Sequence, residues 1–201
     1  GSYTGAFSDK NAGVGKTVNI TSSYSGADVS NYSVTDQSST TANITAKSLT
    51  VSGITASDKI YDGSTSATLD PSLVVYGGLV AGDTFNGSYT GVFSNANVGT
   101  GKTVNITPSY SGADVNNYSV TDQSTTTANI SAKVLTATAS ASNKTYDGGT
   151  TASTTLTFTG LVGSETLGQT VGSTFDNKNV GSNKTVTVNS ITLANGSNGG
   201  L

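Results

Sequence analysis

The sequence repeats itself over a distance longer than any single secondary-structure element. Residues 1–46, GSYTGAFSDKNAGVGKTVNITSSYSGADVSNYSVTDQSSTTANITA, return as residues 87–132 with nine substitutions, an offset of 86 positions. Lys47-Ser48-Leu49-Thr50 then returns as Lys133-Val134-Leu135-Thr136. Lys59-Ile60-Tyr61-Asp62-Gly63 returns as Lys144-Thr145-Tyr146-Asp147-Gly148, and residues 95–104 return as 177–186. The spacing shortens along the chain, with gaps between Tyr-Asp-Gly and Gly-Leu-Val, where a surface loop tolerates deletion. A period this long describes a folded module. A parallel β-helix would need a coil repeat of roughly 20–30 residues, and none occurs inside the unit. The junction-like sequences Ile44-Thr45-Ala46-Lys47 and Ile130-Ser131-Ala132-Lys133 set the frame. Residues 1–46 read as the C-terminal part of a module, 47–132 as a complete one and 133–201 as the N-terminal part of a further one, a window on a longer array.

Within the module the apolar residues alternate with period two, as in Thr103-Val104-Asn105-Ile106-Thr107 and Tyr118-Ser119-Val120-Thr121. That pattern makes half-buried strands. Asp62-Gly63, Gly77-Gly78, Gly82-Asp83 and Ser111-Gly112-Ala113-Asp114 punctuate them as turns. No stretch has a helical period. Only 33% of the residues are hydrophobic, and Ser and Thr make about a third of the chain, so the cores must be thin. Disorder is nevertheless excluded, because the net charge is only −3 and Tyr, Val, Ile and Thr are abundant. The expectation is an all-β chain of tandem small antiparallel β-sandwich modules, immunoglobulin-like, in an elongated array, with six or seven strands per module. A β-grasp-like module is the alternative.

The same inventory removes most chemistry. The chain has no His and no Cys, hence no imidazole base, no thiolate and no zinc or copper site of the nitrogen and sulfur kind. Its single Glu and scattered Ser, Lys and Asp offer no catalytic pairing, so an enzyme is not expected. Nine dispersed Lys against twelve acids give no basic patch for nucleic acid, and no apolar run is long enough for a membrane span. No signal-peptide pattern opens the sequence.

Two copies of Lys-x-Tyr-Asp-Gly-x-Thr, at 59–65 and 144–150, carry a family resemblance. They are followed by Gly-Leu-Val, by Asn-x-Gly-x-Gly-Lys-Thr-Val and by Ser-Gly-Ala-Asp-x-x-Asn-Tyr. In this order and spacing the chain resembles the YDG-type repeats of very large bacterial surface proteins, including filamentous-haemagglutinin-like adhesins. The resemblance covers essentially the whole chain. It implies an extracellular, cell-surface array of β modules with attachment or biofilm roles. The absence of Cys suits export by threading and equally suits a reducing cytosol. Ser164-Glu165 departs from the Gly82-Asp83 of the preceding copy.

The motif residues Lys59, Tyr61, Asp62, Gly63, Lys144, Tyr146, Asp147 and Gly148 read as a structural corner. Tyr would bury its ring and tie its hydroxyl to backbone, Asp would accept backbone N–H groups, Gly would supply a positive φ and Lys would pair with an Asp. A Lys–Asn isopeptide bond is a sharper but unsupported idea. Gly15-Lys16-Thr17 and Gly101-Lys102-Thr103 lack the first Gly of a phosphate loop and precede a strand, which rules that reading out. Asp28, Asp36, Asp62, Asp83, Asp114, Asp122 and Asp147 could offer oxygen ligands to calcium, but no Asp-x-Asp-x-Asp loop exists and no cofactor is expected. Sequons at Asn19, Asn31, Asn43, Asn105, Asn117 and Asn129, and also at 86, 143, 183 and 195, mark glycosylation acceptors if the chain is modified.

The leading functional expectation is a non-catalytic adhesin or stalk segment whose partners are the neighbouring modules of its own chain. Alternatives are a self-associating filament, in which strand edges are completed by other copies of itself, and a module binding a host or matrix glycan or protein.

Overall fold

A computed structural model describes residues 1–196. The chain is all-β: among the described residues the only helical elements are two single turns of 3-10 helix, Val29–Asn31 and Val115–Asn117. Residues 1–46 form β1 (Ser2–Phe7), β2 (Gly13–Ser23) and β3 (Ser39–Ile44). Residues 47–132 form β4 (Lys47–Ser52), β5 (Thr55–Ala56), β6 (Lys59–Ile60), β7 (Ser66–Ala67), β8 (Leu69–Asp70), β9 (Val75–Gly77), β10 (Asn86–Phe93), β11 (Gly99–Ser111), β12 (Tyr118–Thr121) and β13 (Thr125–Ser131). The last copy contains β14 (Thr136–Ala141), β15 (Thr151–Ala152), β16 (Thr154–Thr159), β17 (Leu167–Phe175) and β18 (Val186–Asn195). The central copy has more segments than the sequence predicts because β5 to β8 are two-residue pairings along a winding connection.

β1, β2 and β3 make an antiparallel sheet, and the central copy adds a five-stranded sheet in the order β6-β13-β11-β10-β7 and a three-stranded one in the order β12-β4-β9. Parallel pairings occur at two places among the described residues. β12 runs alongside β4, from Tyr118↔Lys47 to Thr121↔Thr50, and β13 runs alongside β6 at Ile130↔Lys59. The sheets are therefore mixed where the alternation suggested antiparallel sandwiches. Parallel neighbours cannot be joined by a hairpin, and period-two patterning is blind to the direction of a partner strand. The opening strand of the module finds its partner near the module's other end.

The described residues form two compact units, one of residues 1–56, 67–92 and 104–126, the other of 57–66, 93–103 and 127 onward. In the first, Leu49, Val51, Ile54, Phe85, Ile106 and Tyr118 are buried together. Phe85 lies at its aromatic centre, with ring centroids 5.2 Å from Tyr76, 5.0 Å from Tyr110 and 5.8 Å from Tyr118. Aromatic rings bring roughly 150–250 Å² of burial each, which is how a chain poor in aliphatic residues fills a core. The hydroxyls find partners, Tyr110 donating to Asp122 at 2.6 Å and Tyr118 to Asp83 at 2.6 Å. Gly53, at φ 88°, fits because a Cβ there would lie 2.1 Å from the Leu73 carbonyl oxygen.

In the second unit, Phe93, Ile130, Ala152 and Leu156 are buried. β14 pairs with β16 in the register Thr136↔Thr159, the counterpart of Thr50↔Gly77 between β4 and β9. Gly160 and Gly78 both take positive φ at the same place after these pairs.

The repeat supplies its own control. Phe93 is 2% exposed, whereas Phe7, in the same sequence context, is 42% exposed; Tyr118 is 8% exposed and Tyr32 75%. Residues 47–86 are what the central copy has and what residues 1–46, among the described residues, are without. Phe93→Ala is expected to cost about 3–5 kcal/mol of stability, and Phe7→Ala no more than about 1 kcal/mol, read as the difference in denaturant midpoints of the two variants.

Candidate functional site

The Lys-x-Tyr-Asp-Gly segment folds into a corner centred on its lysine. Lys59 lies on β6, and its Nζ donates to Asp62 Oδ1 at 2.8 Å, to the Ser64 carbonyl at 2.8 Å, to Ser64 Oγ at 3.1 Å and to the Ser66 carbonyl at 3.1 Å. The ammonium also stands 5.5 Å from the centre of the Phe93 ring, a cation–π contact. Asp62 Oδ1 accepts the Ser64 N–H at 2.8 Å, and Gly63 takes φ 75°, so the turn is an Asx turn followed by a left-handed glycine. The Phe93 N–H donates to the Thr65 carbonyl at 2.8 Å and closes the loop on the sheet.

The second copy repeats these contacts apart from two of the lysine's, those to Ser64 Oγ and to the Ser66 carbonyl. Lys144 Nζ donates to Asp147 Oδ1 at 2.8 Å and to the Gly149 carbonyl at 2.9 Å, and lies 5.8 Å from the Phe175 ring centre. The Gly149 N–H meets Asp147 Oδ1 at 2.9 Å, and Gly148 has φ 79°. The tyrosine behaves differently from its sequence-based role. Tyr61 donates its hydroxyl to the Glu165 carboxylate, with its N–H on the Ser131 carbonyl, and Tyr146 is 59% exposed. Neither hydroxyl ties to backbone in the contacts observed. Bonding to Glu165 raises the Tyr61 pKa. The lysine ammonium, followed by the Ser64 N–H, holds the Asp62 carboxyl down to about 2, and Lys144 and the Gly149 N–H lower Asp147 in the same way.

A second lysine recurs in the three hairpin loops. Lys16 pairs with the Asp9 carboxylate, Lys102 donates to Asn95 Oδ1 at 2.6 Å, and Lys184 donates to Asn177 Oδ1 at 2.5 Å and pairs with Asp176 at 2.9 Å. The same side-chain oxygens of Asp9, Asn95 and Asn177 accept the N–H two residues on, at 2.9, 3.0 and 3.0 Å. The Gly-Lys-Thr lysines thus close hairpins. In the Lys–Asn contacts at Lys102 and Lys184 the ammonium donates to an amide oxygen in an exposed loop, a hydrogen bond rather than the approach of an amine to an amide carbon.

A third cluster joins residues 1–46 to the central copy. Lys10 Nζ lies 2.9 Å from Asp83 and 3.0 Å from Asp114, and the Ala12 N–H donates to Asn117 Oδ1 at 2.8 Å. Asp114 also accepts the Thr84 N–H at 2.9 Å. The Tyr118 hydroxyl, then Lys10, depresses the Asp83 pKa; the Thr84 N–H, then Lys10, depresses that of Asp114. This clasp was hidden in the sequence because Lys10 corresponds to Ala96 in the next copy, so it is not a repeated feature.

Among the described residues no three acids come together in a way that could hold a metal ion. Of the candidate calcium ligands, Asp83 and Asp114 meet around Lys10, Asp36 and Asp122 accept Tyr24 and Tyr110 hydroxyls, and Asp62 and Asp147 serve the corners. Asp28 precedes the first 3-10 turn. The sequon residues divide. Asn19, Asn31, Asn43 and Asn105 are exposed. Asn117 and Asn129 are half-buried, with the Asn129 amide nitrogen donating to Asp58 at 2.9 Å and its oxygen accepting the Gly101 N–H at 2.8 Å. Phe93 and Phe175 are the corner residues that sequence reasoning missed. Their signal was a Phe six residues ahead of Gly-x-Gly-Lys in the central copy and at the matching place in the next, outside the tyrosine motif.

A family model of the YDG domain matches residues 45–128 and again residues 131–200. No curated protein and no solved structure matches the chain.

Lys59→Met removes the ammonium from two loop carbonyls and is expected to destabilise the fold by about 1–3 kcal/mol. Because Asp62 is depressed in the fold, its contribution is present above the unfolded carboxyl pKa near 4 and is lost as pH falls through that range towards 2. Melting temperatures measured from pH 7 to pH 2 should therefore show part of the acid loss in the native chain disappear in the Lys59→Met variant.

Proposed function

The chain belongs to the YDG domain family, and from that premise we propose that it is a non-catalytic repeat segment of a bacterial cell-surface adhesin or stalk, acting outside the cell to project or support attachment. In this reading the modules are small immunoglobulin-like sandwiches in tandem, forming an extended array. The observation that carries it is the use made of the polar side chains. Both copies of the Lys-x-Tyr-Asp-Gly segment place their lysine and aspartate on their own turn, and the two Gly-Lys-Thr lysines and Lys184 of Asn-Lys-Thr close their own hairpins. Groups that a catalytic or ligand-binding site would direct outward are bound internally, and identically in successive copies. The aromatic residues argue the same way. Tyr76, Tyr110 and Tyr118 pack around Phe85 in the core, with Tyr89 against Tyr110, instead of forming a surface platform for sugar stacking.

The adhesin reading predicts that the segment is replaceable by length. In a cell-surface display of the chain between an anchor and a separate binding tip, exchanging residues 47–132 for an unrelated rigid β module of equal span should leave cell attachment unchanged. Loss of attachment on that exchange, or capture of a glycan by the isolated 201-residue chain, would assign the binding to the segment itself.

A further inference from the structure

Two phenols of the central copy meet head to head. Tyr76 lies on β9, in the three-stranded sheet, and Tyr89 on β10, in the five-stranded one. Their hydroxyls are hydrogen-bonded to each other at 3.1 Å, and both residues are half-buried against the core around Phe85. Gly87 leaves the room for this meeting. A Cβ there would lie 2.3 Å from the Tyr89 hydroxyl oxygen and 2.6 Å from that of Tyr76. The contact is unlike those of Tyr24, Tyr61, Tyr110 and Tyr118, each of which donates its hydroxyl to a carboxylate.

Paired phenols in this arrangement are placed for oxidative coupling. Removing one electron and the hydroxyl proton from a tyrosine leaves its unpaired spin on the oxygen and on the ring carbons beside the C–O bond. Two such rings join through one of these carbons each, and the hydrogen left on each joined carbon then moves to its oxygen, restoring both phenols. In the product the hydroxyls flank the new carbon–carbon bond and remain hydrogen-bonding neighbours, as those of Tyr76 and Tyr89 already are. Holding the two rings together beforehand removes the encounter from the cost of the reaction. Tyr89 also touches Tyr110, but edge-on, with centroids 6.3 Å apart and planes at 79°, and the Tyr110 hydroxyl is held by Asp122.

We propose that Tyr76 and Tyr89 form an oxidative cross-linking site, at which an oxidant of the haem-peroxidase class, acting with hydrogen peroxide, joins the two rings into a dityrosine staple between the two sheets of the central copy. The peroxide takes up the two electrons and two protons and becomes two waters. The staple closes a loop between residues 13 apart in a chain that has no Cys, and so supplies the covalent restraint that a disulfide gives other thin-cored domains. The last copy cannot form it. Phe158 pairs with Ala137 where Tyr76 pairs with Val51, and no tyrosine follows Tyr146. The inference rests on the geometry of the central copy and is independent of the stalk reading.

The test treats the 201-residue chain, dilute enough that chains do not meet, with a haem peroxidase and limiting hydrogen peroxide. The monomer is expected to lose the mass of two hydrogen atoms and to gain dityrosine fluorescence. Cleavage before aspartate separates residues 70–82 from 83–113, and the two fragments should be recovered joined. This map locates the bond in the native chain without any substitution. Tyr76→Phe and Tyr89→Phe, each of which keeps its ring in the core, should lose the joined product, and Tyr110→Phe should retain it. Treatment in denaturant should lower its yield about tenfold, because the fold and not the tyrosine content directs the coupling. The cross-linked monomer should melt about 5–10 °C above the untreated chain. A monomer without the mass loss, coupling through a different tyrosine pair, equal yield in denaturant or an unchanged melting temperature would overturn the proposal.

Discussion

The parallel pairing of β12 with β4 is the constraint on which the central copy depends. It joins the start of the repeat to a strand near its end, so neither half of the module can complete its core without the other. Leu49 and Tyr118 are buried because the pairing brings them together, and Phe85 then finds three tyrosine rings around it. The consequences are visible in the near-identical sequence of residues 1–46. There β1, β2 and β3 form the expected hairpin sheet, but Tyr32, Val34 and Phe7 face outward. Identical side chains are core in one setting and surface in the other. Long-range pairing of this kind also carries a loop-closure cost, which a low-hydrophobicity chain offsets with aromatic burial and saturated polar corners.

Those corners explain how a thin core holds so much irregular backbone. Turns leave N–H and C=O groups without strand partners, and each must find an acceptor or donor. Lysine ammonium groups, with three donors, answer several carbonyls at once, while Asp and Asn oxygens take the backbone N–H two residues on. The same device serves the Tyr-Asp-Gly corner and the Gly-Lys-Thr hairpin. It also accounts for the restricted charge content: most of the ion pairs are short-range locks between a lysine and an acid a few residues away. The exception, Lys10 with Asp83 and Asp114, spans one copy and the next.

Much of the corner was legible because its parts are local. Asp62 and Asp147 capping the second following N–H, the positive φ of Gly63 and Gly148, and Lys pairing with the Asp three residues on follow from residue type and spacing. The tyrosine did not follow. Glu165 lies far along the sequence from Tyr61, and no local rule selects a distant carboxylate over a nearby carbonyl. Phe93 and Phe175 were overlooked for a related reason, since they come to the corner from a different strand. The strand edges were legible as alternation, but their parallel or antiparallel sense was not.

The sequence alone determined the repeat, its length near 85 residues, the all-β character and the absence of imidazole and thiolate chemistry, because each depends on composition or on self-similarity along the chain. Tertiary structure decided which of two nearly identical segments is core and which is surface, and which strands lie parallel. Burial and pairing depend on what a segment meets in space, and two copies with the same side chains and the same local dihedral angles meet different neighbours.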